Sequence, residues 1–190
     1  MIDNTSPYTL QESSTGLAVD ADQQQSQITV LRRPFKADAP AVHRLVTECP
    51  PLDLNSLYTY LLLSEHFSDT CVVAEHDGIL DGYLSAYIPP AKPDVLFVWQ
   101  VAVHSRARGR GLGRSMLSSL LERPGLRQVR YIETTVGSNN AASRGMFAGF
   151  ARMLRADCRE SPLFEQQLFG PSGHDDEPLI RIGPFEVLHK

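Results

Sequence analysis

The stretch of the chain most able to do chemistry runs from Val101 to Arg114. It reads Val101-Ala102-Val103-His104-Ser105-Arg106-Ala107-Arg108-Gly109-Arg110-Gly111-Leu112-Gly113-Arg114, with four arginines and no acid. It joins a β-type apolar run to an amphipathic helical pattern, and Gly111 and Gly113 fall where that helix begins. The first N–H groups of a helix have no partner within it and point outward, so they favour an anion. Glycines let a diphosphate approach the backbone, and arginines add charge-assisted hydrogen bonds. Two familiar anion loops do not fit. A P-loop requires G-x-x-x-x-G-K-S/T, and the lysine is missing; a dinucleotide loop requires G-x-G-x-x-G, and the last glycine is replaced by Arg114 or Met116. The remaining pattern is R-x-x-G-x-G on Arg108, Gly111 and Gly113.

A second chemical signal is Glu133. It lies in the β-prone run Val129–Val136 and shares a face with Tyr131 and Thr135. A carboxylate within a central strand is costly unless paired or functional. The cluster His174-Asp175-Asp176-Glu177 reads by itself as a solvated loop. The other histidines, His43, His66, His76, His104 and His189, have no ligand spacing.

These groups need a framework. The patterns predict a first strand from Ile28-Thr29-Val30-Leu31, a helix capped by Asp38, and a second helix from Ser56 to about Phe67. Asp77-Gly78 between β-prone runs signals a hairpin. In its second arm, Leu80, Leu84, Ala86 and Ile88 form one face, and Asp81, Tyr83, Ser85 and Tyr87 form a wet or site-lining one. Val95–Val103 reads as a buried central strand. Helices follow from Gly111 and after Asn140, with further strands expected near Leu163–Phe169 and Leu179–Ile182. The order β-α-α-β-β-β-α-β-α-β-β implies an α/β (α+β) domain: a mixed central sheet of six to seven strands flanked by helices.

Composition limits the function. The chain's 190 residues suit one domain, residues 28–190, behind a Ser/Thr/Gln/Asp-rich segment 1–27 expected to be a disordered tail. The tail carries four acids and no base, and the remainder has 18 of each, so a basic cluster within it calls for its own explanation. With a net charge of −4, general affinity for nucleic acid or for anionic membrane is not expected. No apolar run is long enough for a membrane helix. Cys49, Cys71 and Cys158 are odd in number and widely spaced, which argues against a disulfide framework or a zinc site; no metal is expected. Reduced thiols and the lack of a secretory pattern point to the cytoplasm.

On the arginine loop and its flanking elements, the chain resembles the GNAT superfamily of N-acetyltransferases over about residues 28–150. The resemblance implies that the Val101, Ala102 and Val103 backbone receives the pantetheine arm of acetyl-CoA. It also implies that Arg108, Gly109, Arg110, Gly111, Leu112, Gly113 and Arg114 hold the diphosphate, and that Asn140 contacts the arm. Where many members carry a tyrosine that protonates the departing thiolate, this chain has Phe147. Segments such as Pro50–Ser56, Leu96–Val103, Tyr131–Val136 and Glu177–Phe185 are similar more narrowly to the diaminobutyrate acetyltransferases of ectoine biosynthesis. That likeness implies a small substrate with two amines and one carboxylate, and a homodimer. It raises His174 and Glu177 as substrate contacts.

Such a substrate needs anions for its amines and a wall for its carbon chain. Asp53, in a loop after two prolines, could project into a cleft, although it reads equally as a turn or capping residue. Trp99 could hold a cation or a methylene chain on its face, although it also suits core packing. Glu133 is the expected general base and His174 the second candidate; the thiolate is expected to leave without a dedicated acid or with Tyr131 or water in that role. A related enzyme for another small amine and a non-catalytic acyl-CoA sensor remain open on sequence alone.

Overall fold

The computed structural model describes residues 29–172 and 175–186. The expected tail 1–27, His174 and His189 lie outside the described residues. Eleven main elements follow the expected order: β1 (Val30–Arg32), α1 (Ala39–Thr47), α2 (Leu57–His66), β2 (Val72–His76), β3 (Ile79–Tyr87), β4 (Val95–Val103), α3 (Leu112–Leu121), β5 (Tyr131–Thr135), α4 (Ala141–Leu154), β6 (Cys158–Phe164) and β7 (Glu177–Ile182). They form a seven-stranded sheet ordered β1-β2-β3-β4-β5-β7-β6. Among the described residues only β4 and β5 pair in parallel, with α3 as the intervening helix.

Helices cover both faces of the sheet. Met116, Leu117 and Leu120 of α3 and Phe150 of α4 pack with Leu84, Leu96 and Ile132. On the other face, Val42, Leu45 and Val46 of α1 and Tyr60 and Leu63 of α2 pack with Tyr83 and Ala102. The face of β3 expected to be wet or to line a site is mostly core, with Tyr87 alone of it lining the second of the clefts described below. Tyr83 is 0% and Ser85 1% exposed because α1 and α2 lie over them. Leu80 also joins the Tyr83 side instead of the Leu84 side. Ala74 faces Gly82 whereas Glu75 faces Leu80, so Asp81 is an extra residue that reverses the alternation.

Asp38 stands at the start of α1, but its carboxylate turns back to accept from Phe35 N–H (2.7 Å) and Arg32 (2.7 and 2.9 Å). Ser56 does cap α2, accepting from Thr59 N–H at 3.3 Å. The strand expected near Leu163–Phe169 instead ends at Phe164, and 166–172 forms 3₁₀ turns containing Gly170 at φ 65°. As the outer strand, β6 tolerates Pro162, which falls in the register shift between Ser161 and Phe164 and has no partner residue on β7.

Candidate active site

The arginine loop sits at the end of β4, as its sequence suggests. Ser105–Ala107 makes one 3₁₀ turn, capped by His104 Nδ1 accepting from Arg106 N–H at 3.2 Å. Gly109 and Gly111 both have positive φ, 78° and 75°. Gly111 is the N-cap of α3 and offers no side chain. The N–H groups of Leu112, Gly113 and Arg114 therefore begin a helix without a side-chain cap. Gly113 marks a close approach: a Cβ there would lie 2.5 Å from Met146 Sδ of α4 and 3.6 Å from Val101 of β4.

Beside this helix start runs a cleft of about 610 Å³. Its rim includes Val101, Val103, Arg108, Gly109, Leu112 and Arg114, facing Asn140 across the opening. Arg108 Nε donates to Val103 O at 3.0 Å, which ties the guanidinium to the strand end. Ala102 turns its methyl the other way, fully buried against α1 and α2, so only its backbone is available. Asn140 Oδ1 caps α4 by accepting from Ser143 N–H at 3.1 Å, so the amide NH₂ is its group for a ligand.

The four arginines divide their roles. Arg106 is structural: it reaches Leu80 O at 3.1 Å and pairs with Asp81, which is 6% exposed. Arg106→Ala should cost about 2 kcal/mol, a buried-pair loss discounted for the half-exposed guanidinium, and leave the acetyl-CoA KM unchanged. Thermal unfolding and steady-state kinetics check both halves. Arg110 departs from expectation. Its side chain lines a separate cavity of about 500 Å³ with His76, Asp81 and Ser115, and not the main cleft. Arg108 and Arg114 line the main cleft without it.

A second cleft, of about 470 Å³, adjoins the first. The two share Pro51, Leu52, Val101, Asn140 and Ser143. The opening follows from strand geometry. Pairing of β4 with β5 runs from Val95–Val98 against Tyr131–Thr134, whereas β4 itself continues to Val103. Trp99 is placed by a bulge: Ser85 faces Gln100 and Ala86 faces Val98, so Trp99 has no residue opposite it. The bulge turns the indole out of the core, 43% exposed, onto the cleft wall. Asp53 and Glu177 also line this cleft, and no lysine or arginine does among the described residues.

Glu133 is 3% exposed, but its carboxylate is not free. It accepts from Lys92 Nζ (3.0 and 3.3 Å) and from Arg181 Nη1, and it is not among the residues lining either cleft. This geometry weighs against the expected role of general base: oxygens engaged by two cations are poorly placed to take a proton from an ammonium. Tyr131, expected near the reaction, instead stacks under Arg181, the guanidinium carbon 3.8 Å from the ring centre. Tyr87 and Phe97, with rings 5.2 Å apart, lie in register with Glu133 and cover the floor of the second cleft. Burial, and then the Glu133 charge, push the Tyr87 hydroxyl above the usual phenol range. Glu133→Gln should keep the wild-type pH profile and cost about 1–2 kcal/mol of stability through weakened ion pairing. A changed profile would restore Glu133 as the base.

The acetyltransferase (GNAT) family model matches residues 39–150, which contain both cleft-forming strands, α3 and most of α4. The chain belongs to the GNAT acetyltransferase family. It is 62% identical over 156 residues to the L-2,4-diaminobutyric acid acetyltransferase of Bordetella parapertussis, covering 82% of this chain and 84% of that one. It is 42% identical to the enzyme of the same name from Methylotuvimicrobium alcaliphilum, covering 85% and 94%. A solved structure, the diaminobutyrate acetyltransferase EctA from Paenibacillus lautus in complex with L-2,4-diaminobutyric acid and coenzyme A, superposes with a TM-score of 0.80. It shares 42% identity and spans 84% of this chain and 96% of that one.

The GNAT fold makes the departure at Phe147 concrete. Its ring is 2% exposed, packs with the α3–α4 core and borders the second cleft, where it offers no proton. Sequence reading missed two contributors, a loop and a helix face. Cys49, Pro50 and Pro51 roof the first cleft. Ala142, Gly145, Met146, Gly149 and Arg152 of α4 form one wall of it. Their three- and four-residue spacing was a visible signal, with small residues permitting close approach and Arg152 adding a third arginine to the cleft beside Arg108 and Arg114. Among the described residues, no group of three His, Cys, Asp or Glu gathers as a metal set, and no helix is long and apolar enough to cross a membrane.

Proposed function

We propose that the protein transfers the acetyl group of acetyl-CoA to the 4-amino group of L-2,4-diaminobutyrate, giving N4-acetyl-L-2,4-diaminobutyrate for ectoine synthesis. The observation that carries this reading is the pair of clefts meeting at Val101, Asn140 and Ser143, one rich in arginine and free amides, the other holding two carboxylates. In this reading Arg108, Arg114 and Arg152 and the amides of Leu112–Arg114 bind the diphosphate. The pantetheine arm pairs with the backbone of Val101–Val103, and Asn140 donates to it.

The amine enters by the second cleft. Asp53 and Glu177 attract the two ammonium groups, and the face of Trp99 holds the carbon chain. The 4-amine is mostly protonated near pH 7 and must lose a proton before attacking. His174 takes that proton. Its flanks support the role: Glu177 borders the cleft, and Asp175 accepts from Asn139 Nδ2 at 3.1 Å beside the start of α4. The amine then attacks the thioester directly in a ternary complex. A backbone N–H near Val101 meets the oxyanion, worth about 3 kcal/mol. With Phe147 in place of tyrosine, the thiolate leaves with water as its acid, and positioning of amine against thioester supplies much of the rate.

The same reading makes the protein a cytoplasmic homodimer acting on a small molecule, with no nucleic-acid or membrane partner. Exposed apolar side chains on α2, Tyr58 at 66% and Leu57 at 41%, support a partner surface. Mass spectrometry of the product formed from acetyl-CoA and L-2,4-diaminobutyrate tests the assignment. Acetylation at N4 is expected; no product, or acetylation at the 2-amine, would overturn it.

A further inference from the structure

The Asp53 carboxylate can select an ammonium only if its loop is held still, and the loop lies on the surface: Asp53 and Leu54 are exposed. Two buried polar side chains reach it from the core. Gln100 of β4, 5% exposed, donates through Nε2 to Asp53 O at 2.6 Å. Tyr60 of α2, 0% exposed, accepts from Asn55 N–H at 3.3 Å and donates to Gln100 Oε1 at 3.3 Å. The proton directions agree throughout. A hydroxyl that accepts from an amide N–H has its own proton to give, which makes the near end of Gln100 its carbonyl and leaves the NH₂ for Asp53 O. The Tyr60 ring is fixed in turn, edge-on between His43 (5.9 Å) and Tyr83 (6.0 Å).

We infer that Gln100 and Tyr60 are positioning residues that set substrate selectivity by fixing Asp53 over the amine cleft from two points, residues 53 and 55. The inference rests on the proposed role of Asp53 as an ammonium contact. Gln100 is well placed to couple the two halves of the site. It directly follows the bulge that exposes Trp99 and directly precedes Val101, where the clefts meet. One residue thereby ties the loop carrying the anion to the strand carrying the hydrophobic wall. A buried amide and phenol in a core cost stability unless satisfied, and here each is satisfied by the bridge itself.

Steady-state kinetics of Gln100→Glu and Tyr60→Phe, alone and combined with Asp53→Asn, provide the test. Gln100→Glu keeps the shape but sets a carboxylate against the Asp53 carbonyl. It should raise the diaminobutyrate KM about 10-fold, the scale of one buried hydrogen bond lost, and leave the acetyl-CoA KM within about twofold. Tyr60→Phe keeps the ring packing and frees only residue 55, with an expected rise of about fivefold. Once Asp53 is replaced by Asn, both effects should shrink to within about twofold, because groups acting through one residue are not additive. Equal rises in both KM values, or the same fold-change with and without Asp53, would mean a merely structural role and overturn the inference. Should Gln100→Glu not fold, Tyr60→Phe carries the same cycle. An unchanged amine KM in Asp53→Asn alone would instead remove Asp53 as the ammonium contact, and the positioning role with it.

Discussion

Arg108→Ala should raise the acetyl-CoA KM between about 10- and 100-fold and leave the diaminobutyrate KM within about twofold. The range is that of one charge-assisted hydrogen bond to a diphosphate, about 1.5–3 kcal/mol. Arg108 is suited to this because its Nε is spent on Val103 O, which orients the guanidinium along the cleft that Gly109, Leu112 and Arg114 border. Arg110→Ala is the internal control. It lines a separate cavity and not the main cleft, so its effect on the same constant should be several-fold smaller. Steady-state kinetics with each substrate varied in turn checks both variants. Equal effects from Arg108 and Arg110 would mean that charge near the loop, and not the Arg108 geometry, governs cofactor binding.

His174→Gln should lower kcat by about 100-fold, the usual contribution of a positioned base. The sign of the pH effect follows from the proton's direction. A base works only when unprotonated, so wild-type kcat/KM should fall on the acid side of the profile. In the variant that acid limb should disappear while the residual rate stays flat through the same window. A pH–rate profile from 5.5 to 8.5 checks it. Persistence of the limb in His174→Gln would assign it elsewhere. Together with a normal profile for Glu133→Gln, the result would separate the two carriers considered for the proton.

Local features of the site were readable in the sequence, and features that depend on strand register were not. The anion loop is local: two glycines and a helical pattern beginning at Leu112 fix a helix start without a side-chain cap whatever surrounds it. The element order followed from periodicity and turn residues for the same reason. Trp99 shows the limit. Val95–Val103 reads as an unbroken apolar strand, and only pairing with β3 reveals the bulge that expels the indole. Glu133 shows it again. Its cationic partners Lys92 and Arg181 lie 41 and 48 residues away, and Arg181 reaches it because β7 inserts between β5 and β6. On the β3 face expected to be wet or site-lining, Tyr87 does line the second cleft, but the burial of Tyr83 comes from α1 and α2, which alternation within the strand does not report.

Gly113 connects the fold to the chemistry. It lets α3 begin against Met146 of α4 and Val101 of β4, so the free amides, the asparagine at the start of α4 and the splayed strand converge on one opening. A crystal structure with acetyl-CoA tests that convergence most directly. The diphosphate should lie on the amides of Leu112, Gly113 and Arg114 beside Arg108, with the thioester between Val101 and Asn140 and its carbonyl open to the cleft of Trp99 and Asp53. A diphosphate bound away from these amides, or an acetyl group lying outside the junction of the two clefts, would contradict the account.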